Sequence, residues 1–234
     1  MADEILFREV PWGSNKMTFE EMIGYRFWYS DGYIKKWEKQ NGGDPVFGYY
    51  YEPQYEPCSL DAILYLYNED FKVAGYKVYS MHANFMLTIT NDMEVDRKKD
   101  NATLYRASYV FDVVNYETAY YGLRDKLNKV YGEYSEKTYK NKKKEYSSQN
   151  GNYEYSTSDI VAEWYGDNNT ACRLRCYLVD SPYQSDEVWS YLELSYWKTD
   201  IENDVAVLQE KILFENYKKE QLEWEKNAEN IDGL

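Results

Sequence analysis

Two pairs of carboxylates stand where acid–base chemistry could use them. Asp112 and Glu117 flank a strand-to-helix turn, and Glu163 and Glu193 lie on the polar faces of two expected neighbouring strands. A glycosidase needs two carboxyls about 5–10 Å apart in an aromatic-lined cleft, one acting as acid and the other as base or nucleophile. With 41 acidic residues in the chain, such pairs also arise by chance. His82, in YSMHANF, is the only histidine, so any His-based triad must use it. Packing on a strand is the simpler expectation for it. Gly42-Gly43 is not followed by Lys-Ser or Lys-Thr, and no G-x-S-x-G elbow is present, so phosphate-loop and serine-hydrolase signatures are missing. Cys172 and Cys176 share one face of an expected strand, about 13 Å apart and too far to bridge. With Cys58 they read as buried thiols, because no second Cys pair supplies zinc-ligand spacing. Asp167-Asn168-Asn169 offers oxygen ligands but reads as turn chemistry. The sequence therefore assigns no catalytic residue, no metal site and no cofactor.

Aromatic residues offer a different chemistry. The chain has 28 Tyr, 7 Trp and 8 Phe. A tyrosine ring packs while its hydroxyl stays wet or bonded, which suits recognition surfaces. Trp164, Trp189, Tyr191 and Trp197 are candidate ligand-binding rings, as on a carbohydrate-binding face, although two or three of them are expected simply to pack in the core. Tyr139, Tyr146, Leu222 and Trp224 are candidate protein-interaction residues. The run from Lys137 to Lys144, with Tyr139 and Tyr146 nearby, could touch phosphates and stack bases. A solvated loop is the simpler expectation for it. The formal net charge of -14 opposes broad binding to nucleic acid or an anionic membrane. No apolar run reaches the roughly 18–20 residues of a membrane span. The start, MADEILFREVPWG, lacks the basic and apolar regions of a signal peptide. A cytoplasmic protein is expected as written, with a secreted or lipoprotein origin still open if a leader has been removed.

The elements that must position these residues follow from periodicity. Residues 4–10 read as a short first strand, and Thr18 with Glu21 as a capping box for a helix over 19–23 that ends at Gly24. Turns are expected at Ser30-Asp31-Gly32 and from Gly42 to Pro45, with a short strand at 46–51. The segment after Ser59 reads either as a brief helix or as a strand. One long strand, or two separated near His82-Ala83, is predicted over 76–90 and another strand over 104–113, with a polar turn or loop over 91–102 between them. Tyr116, Tyr120, Leu123, Leu127 and Val130 make a helical stripe over 116–131, with Asn115 as N-cap and Gly132 just past the end. Gly122 weakens that helix but can permit close packing on a sheet. Residues 133–158 contain no aliphatic side chain and read as a long loop, a protruding hairpin or a partly disordered excursion. Three antiparallel strands follow, DIVAEWYG, ACRLRCYLVD and EVWSYLELSYW, with Arg173 or Arg175 pairing Glu163 or Glu193 on the polar face. A long helix over 201–228 closes the chain. Its apolar stripe is Ile201, Val205, Leu208 and Ile212.

FREVPWGSNKMTFEEMIG, AGYKVYSM, the segment from Tyr105 to Glu133 and the strands from Ile160 to Trp197 resemble a family of uncharacterised bacterial proteins, mostly from Firmicutes. Its marks are an F-x-x-x-P-W-G-S start and an L-x-x-K-L-x-x-x-Y-G-E helix end, here Leu123, Lys126, Leu127, Tyr131, Gly132 and Glu133. The element order is also similar to the helix-plus-antiparallel-sheet modules of outer-membrane assembly lipoproteins and beta-lactamase inhibitor proteins. That likeness implies protein binding without catalytic residues.

The expected architecture is α+β, an antiparallel sheet with helices mainly on one face. Residues 1–113 and 114–200 form two related helix-plus-meander subdomains, and 201–234 form a C-terminal helix. The expected function is non-catalytic protein interaction or a structural role. A carbohydrate or small-ligand module and a carboxylate-based hydrolase are the alternatives. The expected partner is a protein rather than nucleic acid or membrane, and the sequence leaves oligomeric state open.

Overall fold

The computed structural model describes residues 3–30, 34–41, 44–51, 58–66, 69–89, 95–96, 101–147, 151–181 and 189–231. The expected turns at 31–32 and 42–43, most of the 91–102 loop and residues 182–188 lie outside the described residues.

The first half contains α1 (Lys16–Ile23), β1 (Trp28–Ser30), β2 (Ile34–Asn41), β3 (Asp44–Tyr51), β4 (Ser59–Tyr65), β5 (Lys72–Val73), β6 (Tyr76–Met86), β7 (Thr88–Ile89), β8 (Val95–Asp96) and β9 (Thr103–Phe111). The second contains α2 (Tyr116–Tyr131), β10 (Ser135–Ser147), β11 (Gly151–Tyr165), β12 (Thr170–Asp180), β13 (Tyr191–Lys198) and α3 (Thr199–Ile231). The main sheet runs β1-β4-β6-β9-β13-β12-β11-β10, with β5 added on β6. All its pairs are antiparallel. β2–β3 and β7–β8 are separate two-stranded ribbons.

The order has an internal symmetry. Each half is a helix followed by a meander, β1-β4-β6-β9 after α1 and β10-β11-β12-β13 after α2, and the two last strands pair at the centre. The helix starts match as well. Asn15 Oδ1 accepts from the Thr18 N–H, and Asn115 Oδ1 accepts from the Thr118 N–H, both at 2.9 Å. Each cap satisfies a backbone donor that the first turn would otherwise leave unpaired. Gly24 and Gly132 end the helices at φ 78° and 81°, a conformation that costs other residues a Cβ clash.

α1 and α2 cover one sheet face. Phe19 and Ile23 from α1, and Ala119, Tyr120, Leu123 and Leu127 from α2, join the core residues of β4, β6, β9, β11, β12 and β13. Gly122 lets α2 lie close to Tyr76 at the start of β6: a Cβ there would meet the Tyr76 hydroxyl, the far end of a side chain that would have to shift. α3 packs on the opposite face, where Val205 and Ile212 bury against Cys58 and Tyr105. A register shift places Asn84 opposite Arg106 but Phe85 opposite Leu104. The extra residue turns both Tyr105 and Arg106 toward α3, where Arg106 meets Glu202 at 3.7 Å.

Several expectations are corrected, and two alternatives left open by the sequence are decided. Residues 4–10 are not a strand. Arg8 and Glu9 have positive φ, and the Val10 N–H bonds the Phe7 carbonyl, so Phe7 and Val10 enter the core from a tight turn. α1 starts at Lys16 with Asn15 as its cap rather than Thr18, because the Asn15 side chain reaches the first unpaired amides. The segment after Ser59 is the strand β4, whose apolar residues on alternate positions fill the core. Val130 leaves the α2 stripe and is exposed, while Tyr131 beside it packs against the core. Within 133–158, β10 and β11 form a long antiparallel hairpin. β10 is an edge strand, and its Lys137, Lys140, Lys142 and Lys143 give it the charge that discourages a further strand from pairing.

Candidate recognition surface

The face of the sheet opposite α1 and α2 carries ordered polar rows. Parity explains them. In β11, β12 and β13 the residues Ile160, Ala162, Trp164, Cys172, Leu174, Cys176, Leu192, Leu194 and Tyr196 point into the core, so their neighbours must point the other way. Pairing then aligns Glu163, Arg173, Ser195, Ser108 and His82 across five strands. The next row is Val161, Arg175, Glu193, Val110 and Ser80, and beyond it lie Asp159, Tyr177 and Tyr191.

The two arginines hold this face in place. Arg173 donates from Nε to Glu163 Oε1 at 2.7 Å, and its Nη2 lies 2.6 Å from the same oxygen. Its guanidinium sits 5.0 Å from the Trp197 ring centre. Tyr165 OH donates to the other Glu163 oxygen at 2.9 Å. Arg175 grips Asp159 with two hydrogen bonds of 2.9 and 2.8 Å. It also lies 5.6 Å from the Tyr191 ring and 5.9 Å from Tyr177, and these two rings stack at 5.4 Å. A fork-to-fork guanidinium–carboxylate pair stacked on aromatic rings is a fixed arrangement that lysine could not replace. Both guanidiniums remain partly open to solvent, so their contribution to stability is about 1 kcal/mol or less each. Their main effect is on orientation.

The electrostatics agree with this geometry. Burial alone would raise the Glu163 carboxyl, but hydrogen bonds from Arg173 and Tyr165 and the Arg173 charge hold it below its usual range. Asp159, as hydrogen-bond partner, raises Arg175. Burial raises Tyr191. Glu163 is therefore firmly ionised rather than poised as an acid near neutrality. Beside the arginines a depression of about 400 Å³ is lined by residues that include Lys137, Tyr139, Asp159 and Glu163.

The expected site residues separate. Tyr191, Trp197 and Tyr139 belong to this face. Trp189 is exposed just before β13, and Leu222 and Trp224 are exposed on α3. Tyr146 lies on β10 opposite Asn152. Trp164 is corrected: it is fully buried on the core side against Tyr134, because it shares parity with Ile160 and Ala162. Glu163 and Glu193 are not on neighbouring strands, since β12 runs between them. Glu193 accepts from Ser195 Oγ at 2.8 Å. Asp112 pairs with Lys77 at 3.3 Å. Asp159 was not expected to belong to the face. Its position opposite Tyr177, one step along the polar face from Arg175, was the available signal.

His82 Nε2 lies 2.8 Å from Ser80 Oγ, but that serine is almost completely buried, where no substrate carbonyl could reach it. Burial lowers His82, which the nearby Glu193 charge partly offsets. Cys58, Cys172 and Cys176 are free and buried. Among the described residues no group of His, Cys, Asp and Glu could hold a metal ion, and no helix is long and apolar enough to cross a membrane.

Comparisons with protein-family models, curated proteins and solved structures found no significant match to this chain.

Proposed function

We propose that the chain is a non-catalytic protein-binding module that uses the solvent-reached β11–β12 part of this sheet face, around Arg173 and Arg175, as its recognition surface. One observation supports this reading above the others: Arg173 and Arg175 are each anchored by a carboxylate and stacked on Trp197 or on Tyr177 and Tyr191. Arginine, tyrosine and tryptophan dominate the energetics of protein interfaces, and rigid side chains lose little entropy on binding. The depression beside them suits an acceptor-bearing side chain or a backbone carbonyl of a partner.

The test places a photo-crosslinking residue at Tyr177, on this face, or at exposed Val130, on α2, in lysate of the source organism. Discrete adducts at Tyr177, absent at Val130 and lost when Arg173 and Arg175 are both changed to Ala at unchanged helical and sheet content, support the reading. Equal labelling at both positions, or adducts indifferent to the arginines, refute it. The carbohydrate reading predicts instead that a glycan titration shifts the fluorescence of exposed Trp189.

A further inference from the structure

α3 continues well beyond the residues that dock it. Ile201, Val205, Leu208 and Ile212 form the stripe against the sheet. From Phe214 a second stripe begins, Phe214, Tyr217, Gln221 and Trp224, in steps of three and four. Phe214 is 57% exposed, Tyr217 57% and Trp224 74%. At about 100° per residue this stripe lies roughly 180° around the helix from the docked one. It therefore faces away from the sheet. Steps of three and four are the spacing of a coiled-coil seam, and in sequence the spacing continues at 228 and 231.

We propose that this seam pairs with the same seam of a second copy of the chain, with the two helices antiparallel and Gln221 level with the partner's Trp224. Charge selects the orientation. In the antiparallel register Lys218 and the partner's Glu225 stand on the same flank of the seam, two residues from level, and the two-fold axis repeats the pair. In a parallel pair Glu220 would instead face the partner's Glu225, twice, a repulsive arrangement. Lys218 is engaged within its own chain, 3.0 Å from Glu215 and 4.3 Å from the Phe214 ring centre. Both partners of that ion pair are exposed, so it contributes little and can exchange. Gln221 Nε2 donates to Tyr217 OH at 2.7 Å, placing a polar pair inside the seam, a feature that fixes register in paired helices.

Sedimentation velocity on the full chain over roughly 1–100 µM, the range expected of a modest interface, tests the proposal. A concentration-dependent dimer is expected. Phe214→Ser with Trp224→Ser makes it monomeric without changing the thermal unfolding of the body. Glu225→Lys weakens the dimer about tenfold, and adding Lys218→Glu restores it. A wild-type monomer throughout the range overturns the proposal, as does a Glu225→Lys variant that dimerises more tightly, which is the parallel outcome.

Discussion

Gly166 should be irreplaceable, and its surroundings show why. A Cβ at this position would lie 2.7 Å from the Asp3 carbonyl oxygen, 2.7 Å from Ile5 Cγ1 and 2.9 Å from Thr170 Oγ1. None of these neighbours is free to yield. Asp3 contributes backbone. Ile5 is buried, and its carbonyl accepts from Trp12 Nε1. Thr170 Oγ1 accepts the buried Ile5 N–H at 2.9 Å and donates to the Asp167 carbonyl at 2.7 Å. Gly166→Ala must therefore push the N-terminal segment off the β11–β12 turn. Overpacking costs about 1–3 kcal/mol, and an unsatisfied Ile5 N–H adds about 1–3 kcal/mol. The reduced entropy of the unfolded chain returns at most about 1 kcal/mol. The net loss of about 1–6 kcal/mol, centred near 3 kcal/mol, lowers the melting temperature by roughly 6–12 °C at its centre for a chain of this size. Circular dichroism melts of wild type, Gly166→Ala, Thr170→Val and the double variant measure it. Thr170→Val alone should cost about 1–3 kcal/mol, and the double variant should fall short of the sum because both break the same contact. A Gly166→Ala melt within a degree of wild type refutes the reasoning.

Three further outcomes are expected. His82 is held below its ordinary range by burial, so the unfolded chain binds the proton more readily. The stability it contributes is full above the unfolded imidazole value near 6.5 and is lost as pH falls below it, down to the lower folded value. Urea midpoints between pH 7.5 and 5.5 should drop more steeply for wild type than for His82→Gln, and parallel slopes would exclude this role. Burial pushes the Cys176 thiol up to about 12 and raises Cys172 too, so a colourless thiol reagent detected by mass should label neither in the native protein and both in urea. Asn115→Ala removes the cap on the Thr118 amide and should cost about 1 kcal/mol by chemical denaturation, whereas Asn115→Asp should be nearly neutral.

How much of this was legible depends on whether a residue has a face to bury. α2 was readable to the residue, because its apolar stripe, its Asn cap and its terminal glycine all agree. β12 was readable because Cys172, Leu174 and Cys176 alternate with Arg173, Arg175 and Tyr177. β10 was not. As an edge strand in the 133–158 hairpin it is exposed at Glu136 through Lys143, so no hydrophobic alternation marks it, and pairing with β11 defines it. Phe7 and Val10 mimic a strand in composition while anchoring a turn. On the recognition face the Arg173–Glu163 pair was within reach of alternation alone. Asp159 was not, because its role depends on a diagonal step across two strands. Trp164 was misplaced although the parity of Ile160 and Ala162 was visible beside it.

The mirror-like strand order has a consequence for the nascent chain. Within each half the strands are threaded in sequence, so their contacts are local and quick to form. β9 is different: its inner edge waits for β13, which begins only at Tyr191. Until then a strand whose residues are mostly buried in the finished protein presents unpaired amides and carbonyls. Two chains refolding at high concentration can satisfy those edges by exchanging second halves. The seam between β9 and β13 is thus where an exchanged dimer would form, and slow growth of such a species during concentrated refolding would reveal it.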